Sequence, residues 1–173
     1  MRGSSYIPLP DWIMRKKAIV NIRNTDEECF LWCVLRHIHP REKNDIRVTD
    51  LKQYKNELNT KGINFPVKLK DISKFESLNP SLPGINVFSV NENNKFYPLR
   101  MAKRDPQNTI DLFLYEEDGK YHYSLIKKTF QDSSDRKLDH EQVDKSIFVR
   151  NVLLISQKGN YFKNMPSIVH PMK

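Results

Sequence analysis

Two cysteines, a histidine and an asparagine carry the chemistry this sequence can offer. Cys29 and Cys33 lie one helical turn apart, Asn24 stands five residues before Cys29, and His122 lies far downstream. The thiolate is the reactive form of cysteine, and the first turn of a helix favours it through free amides and the positive end of the dipole. Asp26, Glu27 and Glu28 oppose that field, so Cys29 needs an imidazole partner to hold its sulfur as an ion pair. His122 is placed to be that partner. It lies in the β-rich run Lys120–Ile126 just after a turn, and a strand is a rigid support for a base. Asn24 precedes the helix and can turn its amide NH2 toward an oxygen on which negative charge develops, joined by the backbone amide of Cys29. Loss of such a donor typically costs about 2.7–4 kcal/mol of transition-state stabilisation. Each residue also has a structural reading. A buried thiol behaves as a small hydrophobe, a strand histidine packs and hydrogen-bonds, and asparagine suits a turn.

The remaining candidates are weaker. Cys33 sits deep in the apolar stretch Phe30–Leu35. His37 and His39 close the same helix, where a cation suits the carbonyl end. His140 and His170 fall in polar, loop-like sequence. His37-x-His39 lacks a third ligand at a suitable spacing, and two cysteines cannot make a four-thiolate zinc site. No metal or cofactor is expected.

The elements that must position these groups follow from pattern. Ala18–Ile22 is a short β-like run. Thr25 and Glu28 fit a capping box, with Thr25 as N-cap, opening a helix from Asp26 to about Ile38 that Pro40 stops. A second helix is expected over about Thr49–Asn59, with Leu51, Tyr54 and Leu58 on one side and Gly62 after it. Ile63–Pro66 is extended, and Val67–Ser77 reads as a third helix with Ile72 and Phe75 inward. Four strand-length runs come next: Ile85–Val90, Phe96–Ala102, Ile110–Tyr115 and Lys120–Lys128. Glu117-Asp118-Gly119 marks a hairpin between the last two. Helices followed by neighbouring strands make an α+β pattern with a mostly antiparallel sheet. Gln131–Lys145 is polar loop or frayed helix, and Ser146–Ser156 is a further strand.

Composition bounds the class. The chain has 173 residues, enough for one domain with a real core. Residues 1–17 read as an N-terminal arm pinned by Trp12, beginning with a cloning remnant or a disordered start. Residues 18–156 form the domain, and 157–173 a tail or linker. The longest apolar run is far short of the roughly 20 residues a membrane span needs. The net charge of +8 invites a nucleic-acid reading, but the surplus is spread: 11 basic against 8 acidic residues in 1–60, the same in 61–128, and 7 against 5 in 129–173. Nucleic-acid modules usually concentrate charge. Two cysteines give no disulfide framework, so a reducing, intracellular setting is the default.

A helix-opening cysteine followed by a strand histidine is the order of a papain-like thiol hydrolase. The segments Ile22-Arg23-Asn24-Thr25-Asp26-Glu27-Glu28-Cys29-Phe30-Leu31-Trp32, Ile63–Ile72 and His122-Tyr123-Ser124-Leu125-Ile126-Lys127 resemble the cysteine-protease domain of Polinton/Maverick-type transposons. That domain is related to the deubiquitinase of herpesviral large tegument proteins. The resemblance spans roughly residues 18 to 130. It implies a papain-like α+β fold, Cys29 as nucleophile, His122 as general base and Asn24 as oxyanion donor. The Asn-to-Cys spacing is also that of ubiquitin-specific proteases. The third triad member departs from the pattern. Tegument proteases place aspartate two residues before the histidine, where this chain has Lys120; transposon relatives often have Asn or Asp after the Ile-Lys pair, where it has Lys128. Asp111, expected to pair near Ser124 on the face of His122, and Asp132 are the substitutes, with a backbone carbonyl as the third option.

The tail segment Tyr161-Phe162-Lys163-Asn164, with Met165-Pro166 and His170-Pro171-Met172, is similar to the stretch preceding the exonuclease region of type B DNA polymerases in such elements. Their usual cysteine-rich linker is missing, since no cysteine follows Cys33. The resemblance thus implies a monomeric deubiquitinating cysteine protease acting on ubiquitin or polyubiquitin, without a membrane. The alternatives are a non-catalytic ubiquitin-binding module and a nucleic-acid-associated accessory domain of a transposon polymerase.

Overall fold

The computed structural model describes residues 6–43, 45–103, 105 and 108–127. The expected strand Ser146–Ser156, the polar stretch 131–145, the tail and Asp132 lie outside the described residues. The fold is mixed α+β: a five-stranded sheet with a few helices. In chain order the elements are α1 (Asp11–Met14), β1 (Ile19–Val20), α2 (Cys29–Ile38), 3-10 helices at Lys52–Glu57 and Leu69–Asp71, α3 (Ile72–Leu78), β2 (Gly84–Val90), β3 (Phe96–Arg100), β4 (Thr109–Glu117) and β5 (Lys120–Ile126). No helix among the described residues is long and apolar enough to cross a membrane.

The strands run in the order β1-β5-β4-β2-β3. Three neighbouring pairs are antiparallel, while β2 and β4 run parallel, which the hairpin signals did not announce. The β4–β5 hairpin turns at Asp118 and Gly119, both with positive φ (50° and 70°), the backbone of a tight two-residue turn. That turn fixes the register: Glu117 opposes Lys120, Tyr115 opposes His122 and Phe113 opposes Ser124.

Both faces of the sheet are covered. On one face, Tyr121, Tyr123 and Leu125 of β5, Leu112 of β4 and Ile85 of β2 meet α2 and α3 in the main core. Phe30 of α2 stands edge-on to Phe75 and to Tyr123, with ring centroids 5.1 and 5.4 Å apart. Alternation along the strands sends His122, Ser124 and Phe113 to the opposite face. There the N-terminal arm buries Ile7, Leu9 and Ile13. Trp12 packs on Phe96, as the pinning of the arm required, and Phe96 packs on Phe113. The arm thus packs on this face of the sheet. Its apolar residues lack a helical or strand period, so only the packing reveals them as core.

Three local expectations change. Helix α2 starts at Cys29, not Asp26, and Thr25 is exposed rather than an N-cap. The Asp26 carboxylate takes the Glu28 amide at 3.0 Å and holds residues 26–28 as a turn, while the Glu28 carboxylate pairs with Lys55 instead of reaching back to close a box. The helix expected over Thr49–Asn59 is a 3-10 helix, Lys52–Glu57. Its three-residue turn still suits Leu51 and Tyr54, which lie three apart, and Leu51 is fully buried. The third helix divides into a 3-10 turn and α3, keeping Ile72 and Phe75 buried as expected.

Candidate functional site

Helix α2 is apolar almost all round, so it buries nearly its whole length, and its first residue is Cys29. The helix lies against β5 where the two-residue strand β1 stops and leaves β5 an open edge. The cysteines fill that edge. The backbone N–H of Tyr123 donates to Cys29 Sγ at 3.5 Å, and the Cys33 thiol donates to the Tyr123 carbonyl at 3.3 Å. Residues one helical turn apart thus satisfy both peptide groups of one strand residue. Since Tyr123 follows His122, the start of α2 and the histidine strand meet at the backbone.

The side chains are arranged less simply. Cys29 is 1% exposed, so its sulfur does not meet solvent. Burial pushes its thiol up to about 11; the Tyr123 and Phe30 amides pull the other way, and the Asp26 charge adds to the rise. Burial thus favours the neutral thiol in this conformation, and Asp26 opposes ionisation as its position before the helix implies. Cys33 is fully enclosed, and burial raises its thiol further. The His122 ring is also fully buried, on the arm side of the sheet, with the Tyr6 ring edge-on to it at 6.1 Å.

Asn24 is buried immediately before the helix. Its Nδ2 donates to the Asp26 carbonyl at 2.6 Å and to Asp26 Oδ1 at 3.0 Å, while its own Oδ1 has no hydrogen-bond partner. The amide is thus folded onto Asp26, as the turn reading of Asn24 requires. Asp26 organises the whole corner: its carboxylate also takes the Trp32 indole N–H at 2.9 Å. Sequence reasoning missed this role, although an aspartate two residues before a helical amide is the ordinary sign of an Asx turn.

Asp111 does not fall where expected. The register set by the two-residue turn places it four residues beyond Tyr115, the partner of His122, about 13 Å along the strand. It shares the face of His122, but its carboxylate takes the Asn86 amide at 2.8 Å and the Thr109 hydroxyl at 2.9 Å. It is a structural acceptor between β2 and β4, not an orienter of His122. Beside His122 on that face, the Ser124 hydroxyl donates to Asn21 Oδ1 at 3.0 Å, and Asn21 Nδ2 donates to the Ile7 carbonyl at 2.8 Å. No sequence signal marked Asn21 or Tyr6.

The loop Ile63–Val67 closes the other side of this corner. The Tyr121 hydroxyl donates to the Pro66 carbonyl at 3.2 Å and the Tyr123 hydroxyl to the Val67 carbonyl at 3.1 Å. His39, at the end of α2, stacks on Tyr54 at 3.7 Å and meets Glu57 at 2.7 Å, which fits the structural reading of that histidine. Among the described residues no group of three or more His, Cys, Asp and Glu side chains could hold a metal ion. Comparison with known protein families, curated proteins and solved structures finds no match.

Proposed function

We propose that this chain is a deubiquitinating thiol hydrolase with a papain-like arrangement of helix and strand. The observation that carries the reading is the 3.5 Å approach of Cys29 Sγ to the amide that follows His122. It brings a helix-opening cysteine to the strand that bears His122. The three segments of the resemblance also converge here: α2 and its lead-in, the Ile63–Ile72 stretch through the Pro66 and Val67 carbonyls, and β5. Ubiquitin as substrate rests on that resemblance alone.

The chemistry is acyl transfer in two steps. Cys29 gives its proton to His122 and attacks the carbonyl carbon of ubiquitin's last glycine. The C–N bond breaks, the leaving amine takes the proton from His122, and a thioester remains. Water then attacks the thioester, His122 accepts its proton, and that proton returns to the sulfur as the acid is released. Asn24 must swing off Asp26 to meet the oxyanion. Ubiquitin bearing a C-terminal electrophile tests the reading. The expected result is a covalent adduct on Cys29, absent from Cys29→Ala; a folded wild-type protein that never captures the probe rejects it.

One observation favours a second reading. The near-complete burial of Cys29 and its raised thiol suit a non-catalytic module in which both cysteines serve only to cap the Tyr123 peptide groups. In that case the probe is not captured and ubiquitin is bound, if at all, reversibly.

A further inference from the structure

Resting on the reading above, we infer that Tyr6–Ile7 is a latch that holds the site shut and must lift before Cys29 can be acylated. The inference comes from one arm residue contacting the His122 ring and the main chain of Asn24. The Tyr6 ring stands edge-on against His122, and its backbone N–H donates to the Asn24 carbonyl at 3.1 Å. The next residue is tied as well, since Asn21 Nδ2 donates to the Ile7 carbonyl at 2.8 Å. The arm is therefore tied along Asn21–Asn24 by one main-chain bond and one side-chain amide bond. From outside, the Arg23 guanidinium lies 5.5 Å from the centre of the Tyr6 ring, so the ring is held between a cation and the imidazole.

The attachment is graded along the arm. Ile7, Leu9 and Ile13 are buried and anchor it to the sheet, whereas Tyr6 is only half-buried. A segment with few buried apolar contacts opens at lower free energy than its anchored continuation. Tyr6 can lift while Ile13 and Trp12 stay docked. His122 is fully buried with the Tyr6 ring against it, so a substrate reaches the imidazole from this side once that ring lifts. An incoming extended peptide supplies it by competing for the edge of Asn21–Asn24.

The test uses the full chain and two independent readouts. The rate of Cys29 alkylation by iodoacetamide, followed by mass spectrometry, is compared between wild type, Tyr6→Ala and Tyr6→Phe. Tyr6→Ala is expected to react about two- to tenfold faster, the range an edge-on aromatic contact commands, and Tyr6→Phe to match wild type. Arg23→Ala, at an exposed residue, loosens the same ring without touching the core and serves if Tyr6→Ala does not fold. Hydrogen exchange at the Tyr6 amide is the second readout: protected in the free protein, released in the adduct with electrophilic ubiquitin. Unchanged alkylation in the variants, or a Tyr6 amide still protected in the adduct, overturns the latch while leaving the hydrolase intact. Faster alkylation with no ubiquitin adduct in any variant keeps the latch over Cys29 and rejects the ubiquitin reading.

Discussion

Cys29 and Cys33 look alike in sequence and share one strand residue as partner, yet they occupy different chemical positions. Cys29 accepts from the Tyr123 amide, while Cys33 donates to the Tyr123 carbonyl. A sulfur that accepts an amide proton is stabilised as it gains negative charge; one that must donate its own proton is not. Cys33→Ala should therefore keep ubiquitin-probe capture and lose about 1–2 kcal/mol of stability through the small cavity and the open carbonyl. Cys29→Ala should stay folded and abolish capture, and His122→Ala should match it in turnover, the double variant being no worse, because nucleophile and base act as a unit. Capture that survives Cys29→Ala and fails in Cys33→Ala would reverse the assignment. With burial pushing the Cys29 thiol up to about 11, the closed form strongly favours the protonated sulfur at pH 7.

At the scale of elements, a single carboxylate organises the turn that leads into α2. Asp26 holds the Glu28 amide, the Trp32 indole and the Asn24 side chain, and its charge also opposes a thiolate at Cys29. One residue thus shapes the approach to the helix and adds to the rise that burial gives its first thiol. Asp26→Ala should cost about 2–4 kcal/mol in urea unfolding, from the lost turn bond to the Glu28 amide and a stranded indole N–H. Asp26→Asn should cost less and shift the pH profile of Cys29 alkylation to lower pH, since it removes the opposing charge. A loss under about 0.5 kcal/mol for Asp26→Ala, the range of ordinary surface changes, would contradict this role. The far end of α2 is fixed differently. Buried Arg36 forks onto Asp50 at 2.9 and 3.0 Å and reaches the Arg47 carbonyl at 2.7 Å, which ties the helix to the following loop.

For the whole molecule, these buried groups bracket the pH range of stability. The Arg36 guanidinium holds the Asp50 carboxyl below the usual carboxylate range. A lowered folded value gives stability that is present above the unfolded value, about 3.9, and lost as pH falls through the folded one. Cys29, pushed up to about 11, and Tyr121, pushed up to about 12 by burial, act in the opposite sense. Their contribution is full below the unfolded values, about 8.5 and 10, and is lost as pH rises through the folded ones. Urea unfolding across a pH series should show a plateau between about pH 5 and 8, with acid and alkaline losses. Cys29→Ala should flatten the onset of the alkaline limb, and Asp50→Asn the acid limb at a lower plateau. An alkaline limb that starts at the same pH in Cys29→Ala would assign it to other groups.

The α+β class, the apolar helix that carries Cys29 and the hairpin that presents His122 were legible in the sequence. Each depends on short-range physics: a run of apolar residues, a proline stop, an Asp-Gly pair that accepts positive φ. Sequence order also put Cys29 and His122 on separate elements, and the start of α2 lies against the Tyr123 amide of β5. Tertiary packing decided the rest. The register removed Asp111 from the level of His122, because a two-residue turn aligns all later pairs and one face cannot be told from position along it. The parallel pairing of β2 and β4 came from a connection that local patterns do not encode. The arm joined the core because a second sheet face needed cover, and that need exists only once the sheet has formed. The protonation of Cys29 was decided by packing as well: helix position favours the thiolate, but desolvation at a closed corner outweighs it, and burial is a property of the assembled fold.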